Sequence, residues 1–315
     1  MFLPELKSKV GEDICILIKL DNHSANYICE CGDASLLGVK DCQNTDAIFI
    51  SHTHIDHFSN FDTILRHQLG IKRSVIICGP EGIAEQVQSK IRSYTWNLVE
   101  ENAVRYEIRE ILDYNHIKVS ALFPPKWELK DLGKLENEPI FKNDRFKVNY
   151  TILDHKIPSI AFLFQEKNTV SIDLSSSNFK GGKWINELKQ AFVSQHGEKK
   201  IMIDGIAHSA KDLFPLLKIK KGDTLGIIMD HAANAANHDK IKALFNGSNK
   251  VFIECFYAER DKEFAALNFH SYSIESAKIM KQCNVTKPIP VHFSRKYKEQ
   301  EINDLMAEFY QELEK

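Results

Sequence analysis

Residues 46–57 read Asp-Ala-Ile-Phe-Ile-Ser-His-Thr-His-Ile-Asp-His, and this segment decides how the rest of the chain is interpreted. An apolar strand ends there in three imidazoles and one carboxylate within six residues. His52 and His54 are two positions apart in an extended segment, so their side chains share a face and can approach one ion. If the chain turns here, Asp56 and His57 are directed at a second position. Imidazole and carboxylate ligands at this density predict a site for Zn²⁺ or a similar divalent ion.

A metal site needs about four ligands, so further histidine or aspartate side chains must come from later in the chain. Three candidates each follow a predicted strand: His155 after Phe146–Asp154, Asp230 after Leu225–Met229, and His292 after Pro288–Val291. Because α/β folds collect their sites at the carboxyl ends of strands, these positions favour a shared site. Asp173, which follows another short apolar run, is the alternative to Asp230.

Composition narrows the class of protein. The 315 residues are 43% hydrophobic and carry a net charge of −2, which is typical of a globular protein and excludes a strongly basic nucleic-acid coat. This charge does not exclude a local basic patch. The lysine-rich stretch 199–221 is either such a patch, which contacts phosphates, or a solvated face. The seven cysteines are an odd number without a C-x-x-C pair. With no signal peptide and no apolar run of about 20 residues, we expect no membrane contact, reduced thiols and a cytoplasmic protein.

Hydrophobic periodicity predicts strands that alternate with helices in both halves of the chain, with a mainly β stretch between them. The chain order starts with a hairpin over 14–31 and ends with a helix from Glu299. This order predicts a layered α/β protein with a single domain over residues 1–315. Residues 173–222 interrupt the order and are the candidate insertion, either an arm or a cap.

Five motifs in the same order resemble the metallo-β-lactamase superfamily and, within it, the ribonuclease Z branch. The first is the His-x-His-x-Asp-His cluster of residues 52–57, and the other four are the segments 153–158, 228–230, 253–256 with His270, and 291–297. The order and spacing match from about Ile14 to Tyr297. The resemblance implies a four-layer αββα sandwich.

The resemblance also implies two divalent ions, zinc first and manganese or iron as alternatives. It implies that one ion is held by His52, His54 and His155, and that Asp230 bridges to the second. Asp56, His57 and His292 would hold that second ion. A water between the ions would be the nucleophile, and Asp56 would orient it. The resemblance further implies that His270, steered by Glu254, protonates the leaving oxygen.

The activity implied is phosphodiester hydrolysis, as a ribonuclease Z-like endonuclease acting at the 3′ ends of transfer RNA precursors, with a homodimer as the assembly. The alternatives are a hydrolase of cyclic nucleotides or another small ester on the same fold, a redox or metal-binding protein, and a protein that binds RNA without turnover. The segment 173–222 discriminates between the first two, because a protruding lysine-bearing arm favours RNA and a lid favours a small substrate.

Overall fold

The computed structural model describes residues 1–175 and 177–315. Their strands are β1 (Phe2–Leu6), β2 (Ile16–Leu20), β3 (Asn26–Cys29), β4 (Thr45–Phe49), β5 (Ser74–Pro80), β6 (Arg105–Ile111), β7 (His116–Phe123), β8 (Glu128–Glu136), β9 (Phe141–Lys142), β10 (Phe146–Asp154), β11 (Pro158–Glu166), β12 (Thr169–Ile172), β13 (Lys200–Ile203), β14 (Ile206–Ser209), β15 (Leu217–Lys220), β16 (Thr224–Ile228), β17 (Lys250–Glu254) and β18 (Lys287–Val291). Their α-helices are α1 (Val39–Gln43), α2 (Ile55–Phe58), α3 (Phe61–Gln68), α4 (Ile83–Arg92), α5 (Trp184–Val193), α6 (Ala210–Leu213), α7 (Ala235–Phe245), α8 (Lys262–Asn268), α9 (Ser273–Gln282) and α10 (Glu299–Glu314).

These elements divide into two compact units, one of residues 1–165 and 224–315 and the other of Glu166–Asp223. The first unit contains two sheets. In one sheet the strands lie in the order β1 to β8, and in the other the order is β18-β17-β16-β11-β10-β9. Strands β3 to β6 run parallel to one another, and so do β16, β17 and β18. Each sheet therefore gathers several carboxyl strand ends at one edge, which is where the sequence places the candidate ligands.

The alternation of apolar residues along the strands explains the layers of the first unit. Ile16, Ile18 and Phe49 point into a core shared with the second sheet, where they meet Phe162 and Ile227. Their neighbours in the chain point the opposite way, onto the buried faces of α3 and α4. The outer face of the second sheet is covered in the same manner by α7, α9 and α10. Because side chains alternate with a period of two, each sheet has two apolar faces, and the result is the predicted αββα sandwich.

The second unit has a core of its own, built from Trp184 and Leu188 of α5 and from Ile201 and Ile203 of β13. Its two small sheets are β12 with β15 and β13 with β14. The predicted insertion, residues 173–222, falls inside this unit. The unit begins at Glu166 instead of residue 173, because β12 pairs antiparallel with β15 and so belongs to the same body. The single-domain interpretation stays a prediction.

The described residues include no helix that combines the length and the apolar character needed to cross a bilayer. All seven cysteines are buried and unpaired. Burial raises the pKa of each of these thiols above the ordinary value, as for Cys42, where it reaches about 11. They therefore pack as small apolar side chains and do not form a disulfide framework.

Candidate metal centre

The predicted turn after the strand β4 is formed by the helix α2, which begins directly after His54. His52 lies in the extended segment before the turn and is fully buried, whereas Asp56 and His57 lie on the first turn of the helix. This change from extended to helical backbone sends the two halves of the cluster in different directions. The prediction that one motif provides ligands for two metal positions depends on that turn.

The three later candidates arrive from strand ends of the second sheet. His155 follows β10 directly, Asp230 lies two residues after β16, and His292 follows β18 directly. All three are buried. The backbone of His292 has a φ of 57°, so it leaves the strand through the left-handed region and turns its ring back toward the cluster.

The seven side chains form two groups that share Asp230. Potential ligand atoms lie within 4.8 Å of one another in each group, which are His52, His54, His155 and Asp230 in the first and Asp56, His57, Asp230 and His292 in the second. The two oxygens of Asp230 face different groups. Its Oδ2 is 3.7 Å from His52 Nε2 and 3.5 Å from His155 Nε2, and its Oδ1 is 3.3 Å from His57 Nε2 and 3.4 Å from His292 Nδ1. This is the geometry required of a carboxylate that bridges two ions.

Hydrogen bonds on the far side of the rings fix their orientation. The Nδ1 of His155 donates to the carbonyl of Phe269 at 2.7 Å. The Nδ1 of His57 lies 3.2 Å from the Oε2 of Glu30. Because a carbonyl and a carboxylate can only accept, these bonds place the proton on Nδ1 and leave the lone pair of Nε2 directed at the site. Such partners behind a histidine are typical of metal ligands.

Several polar atoms of the two groups are buried without any hydrogen-bond partner among the residues that the structure describes. They are His52 Nε2, His57 Nε2, Asp230 Oδ1 and His292 Nδ1. A buried polar atom left unpaired costs about 1–3 kcal/mol, and four of them in one place need an explanation. A divalent ion in each group satisfies these atoms, so the donor set fits metal binding.

The charge states of His52 and Asp230 also suit the binding of a cation. Burial, together with the neighbouring His57, lowers the pKa of His52 to about 2, which keeps that imidazole neutral. Burial opposes ionisation of Asp230, but His292 and His57 outweigh it and hold its pKa well below the ordinary value. Burial likewise acts to lower the pKa of His57, yet Asp230 and Glu30 raise it well above normal, so a bound ion would have to displace the proton from its Nε2. A carboxylate that is ionised at full burial calls for compensating positive charge.

A third group adjoins the first. Glu254 contacts the Nδ1 of His270 with one oxygen, and its other oxygen accepts the backbone N–H of His231 at 3.0 Å and that of Ser271 at 3.3 Å. Burial opposes its ionisation, but the charge of His270 prevails and lowers the pKa of Glu254 to about 2. Burial also acts to lower the pKa of His270, and Glu254 and Asp230 reverse the direction and raise it. The structure thus brings together the pair that the resemblance implied.

Three functional positions are absent from the sequence prediction. Glu30 is fully buried behind His57, and its Oε1 also accepts the backbone N–H of Ser51 at 2.9 Å. Gly32 leaves room for residues 52–57, called the metal loop below, because a Cβ there would lie 1.7 Å from the carbonyl oxygen of Asp56. Phe256 stacks on the ring of His270. The signal for Glu30 is an acidic residue at the end of a buried strand, but sequence alone does not show what it contacts.

The other polar candidates lie elsewhere. Asp173 contacts Lys218 and accepts the backbone N–H of Ser175 at 2.9 Å within the second unit. His116 is half exposed and pairs with Asp113. His231 is fully buried beside Asp230, and its Nδ1 faces the carbonyl of Met229 at 2.8 Å. Trp184 is core packing. Asp230, and not Asp173, is therefore the aspartate that the fold delivers to the histidines.

Comparisons with known proteins agree with this geometry, although no family model matches the chain. The chain is 24% identical over 292 residues to the ribonuclease Z of Deinococcus radiodurans, covering 88% of this chain and 85% of that protein. It is 28% identical over 256 residues to the ribonuclease Z of Lactobacillus helveticus, covering 79% and 70%.

Two solved structures share the fold at low identity. The human tRNase Z, short form, matches with a TM-score of 0.58 and 16% identity over 94% of each chain. The metallo-β-lactamase fold protein YhfI from Bacillus subtilis matches with a TM-score of 0.59 and 12% identity, covering 99% of this chain and 94% of that one.

The fold is that of metallo-β-lactamase fold proteins, and the site contains histidine and aspartate clusters that suit a divalent metal. Curated relatives that match most of the chain, at 24–28% identity, are named ribonuclease Z.

Proposed function

We propose that this protein is a phosphodiesterase that uses two divalent ions to cut transfer RNA precursors at their 3′ ends. The observation that carries the catalytic part is the division of Asp230, with one oxygen toward each histidine group. The substrate part is supported by relatives that are named ribonuclease Z.

In this proposal one ion would be held by His52, His54 and His155, a second would be held by Asp56, His57 and His292, and Asp230 would contribute to both. Two close divalent ions supply an activated water and neutralise charge on the phosphate. The carboxylate of Asp56 lies 3.5 Å from His292 Nε2 and is about one-third exposed, so it also reaches the open side of the site. There it would orient the attacking water by accepting a hydrogen bond. Zinc is the first candidate metal, since imidazole nitrogen and carboxylate oxygen are its ordinary ligands, and manganese or iron are the alternatives.

His270 is proposed as the group that donates a proton to the leaving oxygen. Its Nδ1 is engaged by Glu254, so Nε2 is the atom available to a substrate. The imidazole keeps 12% of its side-chain surface exposed, whereas Glu254 is fully buried. This division of roles is typical of a histidine oriented by a carboxylate.

The second unit supplies a surface that suits a polyanion. Residues 166–223 contain ten of the chain's 41 basic side chains, all lysine, and seven of its 43 acidic ones. Lys199, Lys200, Lys220 and Lys221 are exposed. Lysines that contact phosphates release counterions, so such a surface strengthens RNA binding in a salt-dependent way. The lysines support RNA over a small ester as the substrate.

The experiment is an assay of zinc-loaded protein on a precursor transfer RNA, a cyclic nucleotide and bis(p-nitrophenyl) phosphate. We expect a single cut near the 3′ end of the precursor, and loss of that cut in Asp56→Ala. Hydrolysis of the small esters with the precursor left intact would overturn the RNA proposal. Purified protein without zinc, manganese or iron, and unable to bind them, would overturn the catalytic proposal.

Two further proposals accompany this function, namely a homodimer and a cytoplasmic location. The resemblance to the ribonuclease Z branch supports the homodimer, and the seven unpaired cysteines support the cytoplasmic location. Light scattering of the purified chain tests the first, with a monomer at micromolar concentration as the opposing result. Fractionation of cells that express the tagged chain tests the second, with recovery outside the cytoplasmic fraction as the opposing result.

A further inference from the structure

We propose that Phe256 is a positioning residue that holds the His270 imidazole against Glu254 and away from the bridging Asp230. The rings of Phe256 and His270 are stacked, with centroids 3.9 Å apart and planes 4° from parallel. The same phenyl ring also stacks on His292, at 5.1 Å and 25°. Phe256 therefore lies between the proposed proton donor and a proposed metal ligand. This inference rests on the proposed function for its catalytic consequence, but not for its geometry.

The position of the phenyl ring is fixed by the backbone. The carbonyl of Phe256 accepts the N–H of Ser294 at 3.0 Å, and the N–H of the preceding Cys255 donates to the carbonyl of Val291 at 2.8 Å. These bonds continue the pairing of β17 with β18 beyond the ends of both strands. Tyr257 packs edge-on against the ring, with centroids 4.9 Å apart. The phenyl ring is thus half-buried and in contact with three other rings, those of Tyr257, His270 and His292.

The phenyl ring of Phe256 affects the site because His270 has two carboxylates within reach. Its Nδ1 contacts Glu254, but Asp230 Oδ2 is only 3.7 Å from the same atom. Asp230, Glu254 and His270 also meet the geometric requirement for a ligand group of their own. A small rotation of the imidazole would move it from Glu254 to Asp230 and into the proposed metal site. The stacked phenyl ring opposes that rotation, since the imidazole plane must leave the stack to make it.

Two variants test whether the aromatic ring at position 256 is needed. Phe256→Ala removes the ring, and Phe256→Tyr keeps it. Phe123→Ala is the matched control, since Phe123 is an exposed phenylalanine at the end of β7. Thermal unfolding and zinc content confirm that each variant is folded and loaded.

The first readout does not depend on activity. Full-length protein with ¹⁵N-labelled histidine is examined by NMR, and the His270 Nδ1–H resonance is assigned by its absence from His270→Gln. We expect this slowly exchanging proton in the wild type, in Phe256→Tyr and in Phe123→Ala, and its loss in Phe256→Ala. The resonance of His155, whose Nδ1 is bonded to Phe269, serves as an internal standard. An unchanged His270 resonance in folded Phe256→Ala overturns the inference.

The second readout compares an RNA substrate with its analogue in which the leaving bridging oxygen is sulfur, which needs no proton to depart. We expect Phe256→Ala to lower kcat on the oxygen substrate by about 10- to 100-fold, with KM and the sulfur substrate nearly unchanged. Equal losses on both substrates, with metal retained, overturn the inference. If the wild type cuts neither substrate, the proposed function has failed, and the NMR result alone decides the positioning role.

Discussion

At the residue scale, the fold must stabilise a buried carboxylate at Asp230. Its carboxylate is 1% exposed and ionised, and each oxygen faces a different pair of histidines. Burying a charge is costly unless other charges and hydrogen bonds compensate, and breaking such an arrangement costs about 3–5 kcal/mol. The chemistry of this side chain therefore cannot be changed without disturbing both histidine groups.

Asp230→Asn tests this directly. An asparagine keeps the shape, but only its carbonyl oxygen can bind a cation, and its amide nitrogen would face one of the two groups. We expect at most one zinc per chain and a loss of hydrolysis of about 100-fold or more, measured by elemental analysis and by the diester assay. Asp173→Asn, in the second unit, is the matched control for metal content. Two ions per chain in Asp230→Asn would contradict the bridging role.

Glu30 leads to a second prediction at this scale. Its carboxylate accepts from His57 Nδ1 at 3.2 Å and so fixes the tautomer that presents Nε2 to the site. Glu30→Gln can instead donate its amide to Nδ1 and stabilise the wrong tautomer. We expect zinc affinity to fall about 10- to 100-fold in calorimetric titrations, as for other groups behind metal-bound histidines. Glu138→Gln on the surface is the control, and equal affinities of both variants would refute the role of Glu30.

At the scale of elements, the centre depends on how strands end. The segment after β4 turns into α2, and β10, β16 and β18 each end at or near a ligand. The turn after β3 must pass close beneath the metal loop, where the backbone N–H of Cys31 donates to the carbonyl of His57 at 2.9 Å. Gly32 allows this approach because it has no side chain.

Gly32→Ala is predicted to displace the metal loop. Its Cβ would lie 1.7 Å from the Asp56 carbonyl oxygen, so one of the two loops must move. We expect a loss of about 3 kcal/mol in the free energy of unfolding, measured in urea, together with weaker zinc binding. Gly70→Ala is the matched control, since a Cβ there meets nothing within 4 Å. If both variants are as stable as the wild type, the close approach does not constrain the fold.

At the scale of the whole molecule, charge is divided unevenly between the two units. The whole chain has a net charge of −2, but the second unit has more lysines than carboxylates, so the first unit is the more acidic. The net charge of the whole chain is therefore near neutral although its second unit is basic. Polyanion binding depends on such local excess and not on the net charge of the chain.

The combined variant Lys199→Gln, Lys200→Gln, Lys220→Gln and Lys221→Gln tests that module. We expect KM for precursor transfer RNA to rise, and the slope of its salt dependence to fall by about one for each lysine that binds a phosphate. Hydrolysis of bis(p-nitrophenyl) phosphate is expected to stay unchanged, because these lysines lie outside the metal groups. The control replaces Lys126, Lys130, Lys134 and Lys147 of the first unit by glutamine. The same rise in KM in both combined variants would argue against a role specific to the second unit.

Sequence by itself determined the layers and the set of residues that the fold gathers. Residue spacing was sufficient for His52 and His54, because two positions apart in a strand means one face. His155 and His292 were predicted from a second argument. Each follows a strand, and α/β folds collect their sites at the carboxyl ends of strands. For Asp56 and His57 the residue pattern supplied only a condition, that a turn would direct them at a second position, and the structure supplies that turn as the helix α2.

Only the tertiary structure decided which atoms face each other. The division of Asp230 between two groups, the contact of Glu30 with His57 and the stack of Phe256 on His270 all join residues that are distant in the chain. Ring planes and carboxylate orientations are set by packing, and local sequence does not encode packing between distant segments. The bounds of the second unit were decided in the same way, by the pairing of β12 with β15, which have α5, β13, β14 and α6 between them in the chain.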